Sequence, residues 1–281
     1  MGKNAIFLSL PFSVHYVFST MKLTPKDLII LHQAADVLEN PSFSSKITKT
    51  VGGAIEKTIA ILPEQVSLSL NDITRTALEK SLEGAIFTLN SRKSSIPYNK
   101  THKFFAGLSG ALGGAFGLTA ITIELPISTT IMLRSIADIA RFYGENLSHG
   151  NTKMTCLEVF ALSDTTRHGS ETGYYAIRSI LAKGLAEASK QLGTPVLSKE
   201  SAPIVNKAIN QIAARFSIPV SEKLAAQSIP IIGAIGGATI NLLFIGYFQD
   251  LAHAHFALRR LERNYTPELI KLNYQKYLAQ Q

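Results

Sequence analysis

Apolar residues recur along most of the chain at the three- and four-residue spacing of amphipathic helices. Thr24 to Leu38 predicts a helix with Thr24 as N-cap, Pro25 at the first helical position and a stripe of Leu28, Leu31, Ala35 and Leu38. Asn40-Pro41-Ser42 stops it. Ser44 to Leu62 carries Ile47, Val51, Ile55, Ile59 and Leu62 on one side, and Pro63 to Leu89 repeats the pattern with Leu70, Ile73, Ala77 and Leu78. Further helices are expected over Lys153 to Leu162, Tyr174 to Leu192 and Pro203 to Gln227. In the last of these Val205, Ile209, Ile212, Phe216 and Val220 form the apolar face, and Pro219 is expected to kink or split the helix. Lys207, Arg215 and Lys223, eight residues apart, read as one polar face, either solvated or resting on an anionic surface.

Two twenty-residue stretches break the amphipathic pattern because they lack charge altogether: Phe104 to Ile123 and Ile229 to Phe248. Gly110-Ala-Leu-Gly-Gly-Ala115 in the first recurs as Gly233-Ala-Ile-Gly-Gly-Ala238 in the second. Each run is long enough to cross a bilayer, yet its glycines equally suit close packing between helices. Gly110, Gly113, Gly114, Gly117, Gly233, Gly236 and Gly237 are therefore the candidate helix-packing positions. The expected architecture is all-α: one multi-helix domain built around two packed Gly-rich apolar helices, about 104–122 and 230–248. Directly after the first run Glu124-Leu125-Pro126 marks a break between two helices, the second of which ends at a Gly144 cap.

Composition narrows the function classes. The chain of 281 residues is 46% hydrophobic and only 17% charged, with a formal net charge of +8. Low charge implies a large core, a membrane-facing surface, or both; the basic balance suits an anionic lipid surface or nucleic acid. Trp is absent and no basic motif is interleaved with aromatics, which sets nucleic acid aside. Arg92, Lys93, Lys100 and Lys103 precede the first uncharged run, and Arg259, Arg260 and Arg263 follow the second. If both runs crossed a membrane these flanks would face the same side, so they are the candidate membrane-facing basic residues. Residues 1–20 carry one lysine and an apolar run interrupted by Pro11 and His15, and form an extension to a domain over 21–281. A signal, an anchor and an upstream start all fit that extension.

Catalytic motifs are missing. There is no P-loop and no G-x-S-x-G elbow, and the Gly113, Gly114 and Gly117 cluster follows no strand. His253 and His255, two apart on a helix, point to different sides and make poor joint metal ligands. Cys156 is the single cysteine and reads as an inert core thiol. No cofactor or metal is expected. Enzyme readings rest only on Glu124, Asp138 and Asp250. Glu124, Arg134, Asp138 and Asn241 are the candidate polar cluster, as a structural network or as a ligand or proton site. Arg134 and Asp138 lie four apart on one helix and can pair, and Asn241 needs a partner if buried.

Two segments, Gly110 to Leu147 and Ser228 to Arg263, resemble the EcsC family of bacterial proteins. The residues that carry the resemblance are Glu124, Pro126, Arg134, Tyr143 and Gly144 in the first segment. In the second they are Pro230, Gly233, Ala234, Asn241, Ala252, His255 and Phe256. The resemblance implies an all-helical protein, cytoplasmic or at the inner membrane, from a family named for a gene that neighbours an ABC transporter, and it implies no reaction. The leading expectation is a membrane-associated protein that binds an anionic lipid surface or a membrane protein, as an accessory to a transporter. The alternatives are a soluble enzyme or small-molecule-binding protein built on the Glu124 cluster, and a secreted factor acting on host membranes.

Overall fold

A computed structural model describes residues 22–39, 42–51, 64–88, 118–163, 173–191, 202–228 and 237–281. These form α1 (Pro25–Glu39), α2 (Phe43–Val51), α3 (Glu64–Thr88), α4 (Leu118–Phe142), α5 (Gly150–Ala161), α6 (Gly173–Gln191), α7 (Ala202–Ser228), α8 (Gly237–Asn264) and α9 (Pro267–Leu278). No strand occurs among the described residues, so the fold is all-α.

The amphipathic stripes become the core. Leu31, Ala35 and Leu38 of α1 are buried, as are Val205, Ile209, Ile212, Phe216 and Val220 of α7. The longest described helix, α8, packs on α1, α4, α9, α2, α5 and α7, while α3 packs on α4 and α7. Phe160, Phe216, Phe244 and Phe248 interlock at ring-centroid distances of 4.7 to 6.1 Å where α5, α7 and α8 meet. Such edge-on and tilted contacts add to the stabilisation from burial alone. Thr24 caps α1: the Asp27 amide donates to Thr24 Oγ1 at 3.2 Å, and the Thr24 hydroxyl returns a 2.7 Å bond to Asp27. Asp27 also accepts from the Tyr265 hydroxyl, which holds its carboxyl below the usual range.

Neither expected break divides its helix. α4 runs without a break through Glu124, Leu125 and Pro126, and α7 through Pro219. A proline inside a helix removes one amide donor and costs about 3 kcal/mol locally. Here both helices are buried for much of their length on several neighbours, and that tertiary packing outweighs the local penalty. Hydroxyls also bond carbonyls of this turn, from Ser128 to Leu125 at 3.2 Å and from Thr130 to Pro126 at 2.7 Å. The C-terminal helix α9 is an element the periodicity reading did not assign.

α4 ends as expected at Gly144, whose φ of +88° is the left-handed conformation open to glycine. The Glu145 amide bonds the Ala140 carbonyl and the Gly144 amide bonds that of Arg141, both at 2.9 Å, which is a Schellman cap. Among the described residues no helix is long and apolar enough to cross a membrane. Gly110, Gly113, Gly114, Gly117, Gly233 and Gly236, the basic residues Arg92, Lys93, Lys100 and Lys103, and the 1–20 extension lie outside the described residues; Gly237 opens α8.

Candidate functional site

Two buried polar centres are built into the bundle. The first joins Glu124 of α4 and Asn241 of α8 through a residue of α7 that sequence reasoning placed elsewhere. Lys223 Nζ lies 2.9 Å from each Glu124 carboxylate oxygen and 2.9 Å from Asn241 Oδ1. Its ammonium also sits 5.0 Å from the Phe244 ring centroid. Lys223 is 0% exposed, so its assignment to a surface face with Lys207 and Arg215 is corrected. The reason is angular: sixteen residues at 3.6 per turn carry Lys223 about 160° around the helix from Lys207. Three acceptors match the three protons of the ammonium, which is what a buried lysine needs to stay charged.

Arg134 and Asp138 lie further along α4. Asp138 accepts a 2.7 Å bond from Arg141, one turn on. The described contacts of the Glu124 centre are with Lys223 and Asn241. Asp250, another isolated acid of the sequence reading, is 2.5 Å from Lys46.

The second centre lies around the C-terminal half of α8 and was not foreseen. His255 is fully buried, with Nδ1 3.0 Å from the Tyr174 hydroxyl and Nε2 3.9 Å from Glu158. Its Nε2 has no hydrogen-bond partner. Arg178 donates to the Tyr174 oxygen at 3.2 Å and holds Glu262 through two bonds of 2.7 and 3.1 Å. Desolvation pushes the Glu158 carboxyl up to about 7. Desolvation, reinforced by Arg178 and Arg259, holds His255 well below its ordinary value. Glu39, at the end of α1, accepts from the Gly173 and Tyr174 amides and from the Tyr274 hydroxyl at 2.8 to 3.1 Å. It thereby closes the N-terminus of α6, where a negative charge is favourable.

The arginines after the second uncharged run meet the Gly144 turn. Arg259 donates to Glu145 at 2.8 Å, Arg263 also bonds Glu145, and Arg260 stacks 5.4 Å from the Tyr143 ring centroid. Although Glu145 is desolvated, these two guanidinium groups hold its carboxyl below the usual range. Arg259 and Arg263 thus share one acid, which balances one of their two charges. His253 turns away from His255, towards the Tyr143 hydroxyl at 3.4 Å. Cys156 is buried, and burial raises its thiol far above the ordinary value. Among the described residues no group of three or more His, Cys, Asp or Glu side chains could hold a metal ion.

A bundle with charged networks sealed inside it, and with motif residues Glu124, Gly144, Asn241 and His255 at the structural joints, defines an all-helical protein organised around α4 and α8. The chain belongs to the EcsC protein family, whose model matches residues 28–261. No curated protein and no solved structure matches it.

Proposed function

We propose that the protein binds a membrane surface peripherally, from the cytoplasmic side, through the apolar end of the bundle where α4 begins. The observation that carries this reading is a pair of exposed isoleucines one helical turn apart, Ile123 at 70% and Ile127 at 49% exposure. They flank Glu124, whose charge is neutralised internally by Lys223, so apolar side chains and not a carboxylate meet the surroundings. The uncharged run 104–123 leads directly into this helix, and the second run enters α8 beside the half-exposed Leu242. Apolar contact combined with a net charge of +8 suits an anionic lipid surface.

The rival reading, a small-molecule site at Glu124, is less well supported. Both carboxylate oxygens already hold Lys223, and a ligand would have to displace a buried ammonium. Vesicle flotation tests the proposal. Wild type should float with anionic vesicles, and the double substitution Ile123→Asp with Ile127→Asp should reduce the floated fraction at least fivefold without changing helical content. Equal flotation of both proteins would sink the lipid reading. Failure of wild type to float on pure lipid, with capture on vesicles carrying a membrane transporter, would move the contact to a membrane protein.

A further inference from the structure

Where α6, α9 and the end of α8 meet, they border an open cleft of about 450 Å³. Its floor is the Arg178–Glu262 pair, two bonds of 2.7 and 3.1 Å. The floor is held from behind, because Arg178 also bonds Tyr174, whose hydroxyl meets the buried His255 ring. Such a floor is fixed before any ligand arrives, the condition for a preorganised site. Tyr175 forms an aromatic wall, with its hydroxyl 3.4 Å from Glu262.

The rim is different, because its charges are not used internally. Lys271 has the Tyr175 ring, 5.5 Å away, as its described contact, and no acid among the described residues lies within ion-pair distance. Among the described residues the Glu268 carboxylate, one turn earlier on α9, meets no hydrogen-bond or ion-pair partner, and neither does the Ser179 hydroxyl across the cleft. One positive and one negative group therefore stand open above a floor whose own charges cancel. An anion alone would gain Lys271 but face Glu262 and Glu268. A cation alone would gain Glu268 but face Arg178 and Lys271. A ligand carrying both charges satisfies the rim without either repulsion.

We infer that this cleft binds a zwitterion of the phosphoethanolamine type, with its phosphate on Lys271 and Ser179 and its ammonium on Glu268. Residues three apart on a helix hold their Cβ atoms about 5–6 Å apart. The two side chains carry their charges beyond Cβ on separate stems, so a ligand whose amine and phosphate are parted by a two-carbon bridge reaches both more readily than the adjoining charges of an α-amino acid. The group could belong to a phospholipid headgroup or to a soluble phosphoethanolamine. The site is independent of the apolar end proposed above: Asn241 and Glu262 sit twenty-one residues apart on α8, a rise of about 30 Å.

Isothermal titration of the full chain with glycerophosphoethanolamine tests the inference, with glycerol phosphate and ethanolamine as single-charge controls. The expected result is saturable binding at least tenfold tighter than either control, weakened at least tenfold by Lys271→Met and by Glu268→Gln. Both substitutions lie at exposed positions and leave the floor intact. Absence of binding, glycerol phosphate binding equally well, or insensitivity to both substitutions would overturn it. Flotation on phosphatidylethanolamine vesicles then assigns the source. Loss on Lys271→Met identifies a lipid headgroup and no loss a soluble ligand, each being consistent with the same chemistry. The Ile123→Asp, Ile127→Asp protein should retain full glycerophosphoethanolamine binding, so failure at one site is separable from failure at the other.

Discussion

Lys223 and Glu124 meet at 2.9 Å through both carboxylate oxygens, with the lysine wholly removed from solvent. Replacing both members of a buried pair by neutral groups is often tolerated, whereas removing one strands a charge. Lys223→Met should therefore cost about 3–5 kcal/mol in urea unfolding followed by circular dichroism. Adding Glu124→Gln should restore at least half of that loss. A single-substitution cost below about 1 kcal/mol would show that the carboxylate finds other compensation.

Stability should depend on pH through the His255 centre, with opposite signs for its two groups. The Glu158 carboxyl titrates at about 7 in the folded protein against an ordinary 4.5. The folded state binds that proton more tightly, so stability falls as pH rises from about 5 through 7, by roughly 3 kcal/mol for the full shift. His255, held below its ordinary value, does the reverse: stability falls as pH drops below about 6.5, where the unfolded imidazole gains a proton. Urea titrations of wild type and Glu158→Gln across pH 5 to 8 separate the two. The difference between the proteins should shift in favour of Glu158→Gln as pH rises, and a difference independent of pH would contradict the raised carboxyl.

Gly144→Ala tests the left-handed turn that ends α4. The φ of +88° penalises any L side chain, although a Cβ there would meet only Arg263 Nη2 at an ordinary 3.7 Å. The cost should be about 1–2 kcal/mol from backbone strain alone. Gly144→Asn should recover part of it, since asparagine tolerates this region. Thermal unfolding gives the ordering; alanine as stable as glycine would mean that the turn rearranges freely.

Cys156 should be silent towards thiol reagents in the native protein. Burial raises its thiol well above the ordinary value, so almost no thiolate is present at neutral pH. Labelling with a chromogenic disulfide should be at least a hundredfold slower than in denaturant. A native rate within tenfold of the denatured one would show that α5 opens readily.

Much of the helical architecture could be read from local chemistry. Thr24 and Pro25 announced the start of α1, and Gly144 announced the end of α4. The same signal was present at Thr266-Pro267-Glu268, where the Leu269 amide bonds Thr266 Oγ1 at 3.2 Å, yet without a long apolar stripe the helix went unassigned. Glu124-Leu125-Pro126 misled because proline chemistry is local and the packing that overrides it is not.

The polar centres were half legible. Glu124 and Asn241 stood out as polar residues beside and within apolar runs, and they do meet, through Lys223. Lys223 itself was hidden because its helix also carries the exposed Lys207 and the half-buried Arg215, and only the angular drift over sixteen positions separates it from Lys207. Glu158 sat in a helix that reads as apolar, and nothing in its own neighbourhood revealed that His255, ninety-seven residues later, would lie beside it. Long-range meetings of this kind depend on how helices pack, which their individual patterns do not encode.

α8 contributes to every one of these meetings: Asn241 to the Lys223 ammonium, His255 to Tyr174, Arg259 to Glu145 and Glu262 to Arg178. A slip of one residue would translate the helix by about 1.5 Å and rotate it by about 100°, breaking all four contacts together. The helix is in this sense keyed at several levels, like the shaft of a lock. Any rearrangement that keeps these four contacts therefore leaves α8 in register and falls to the helices around it.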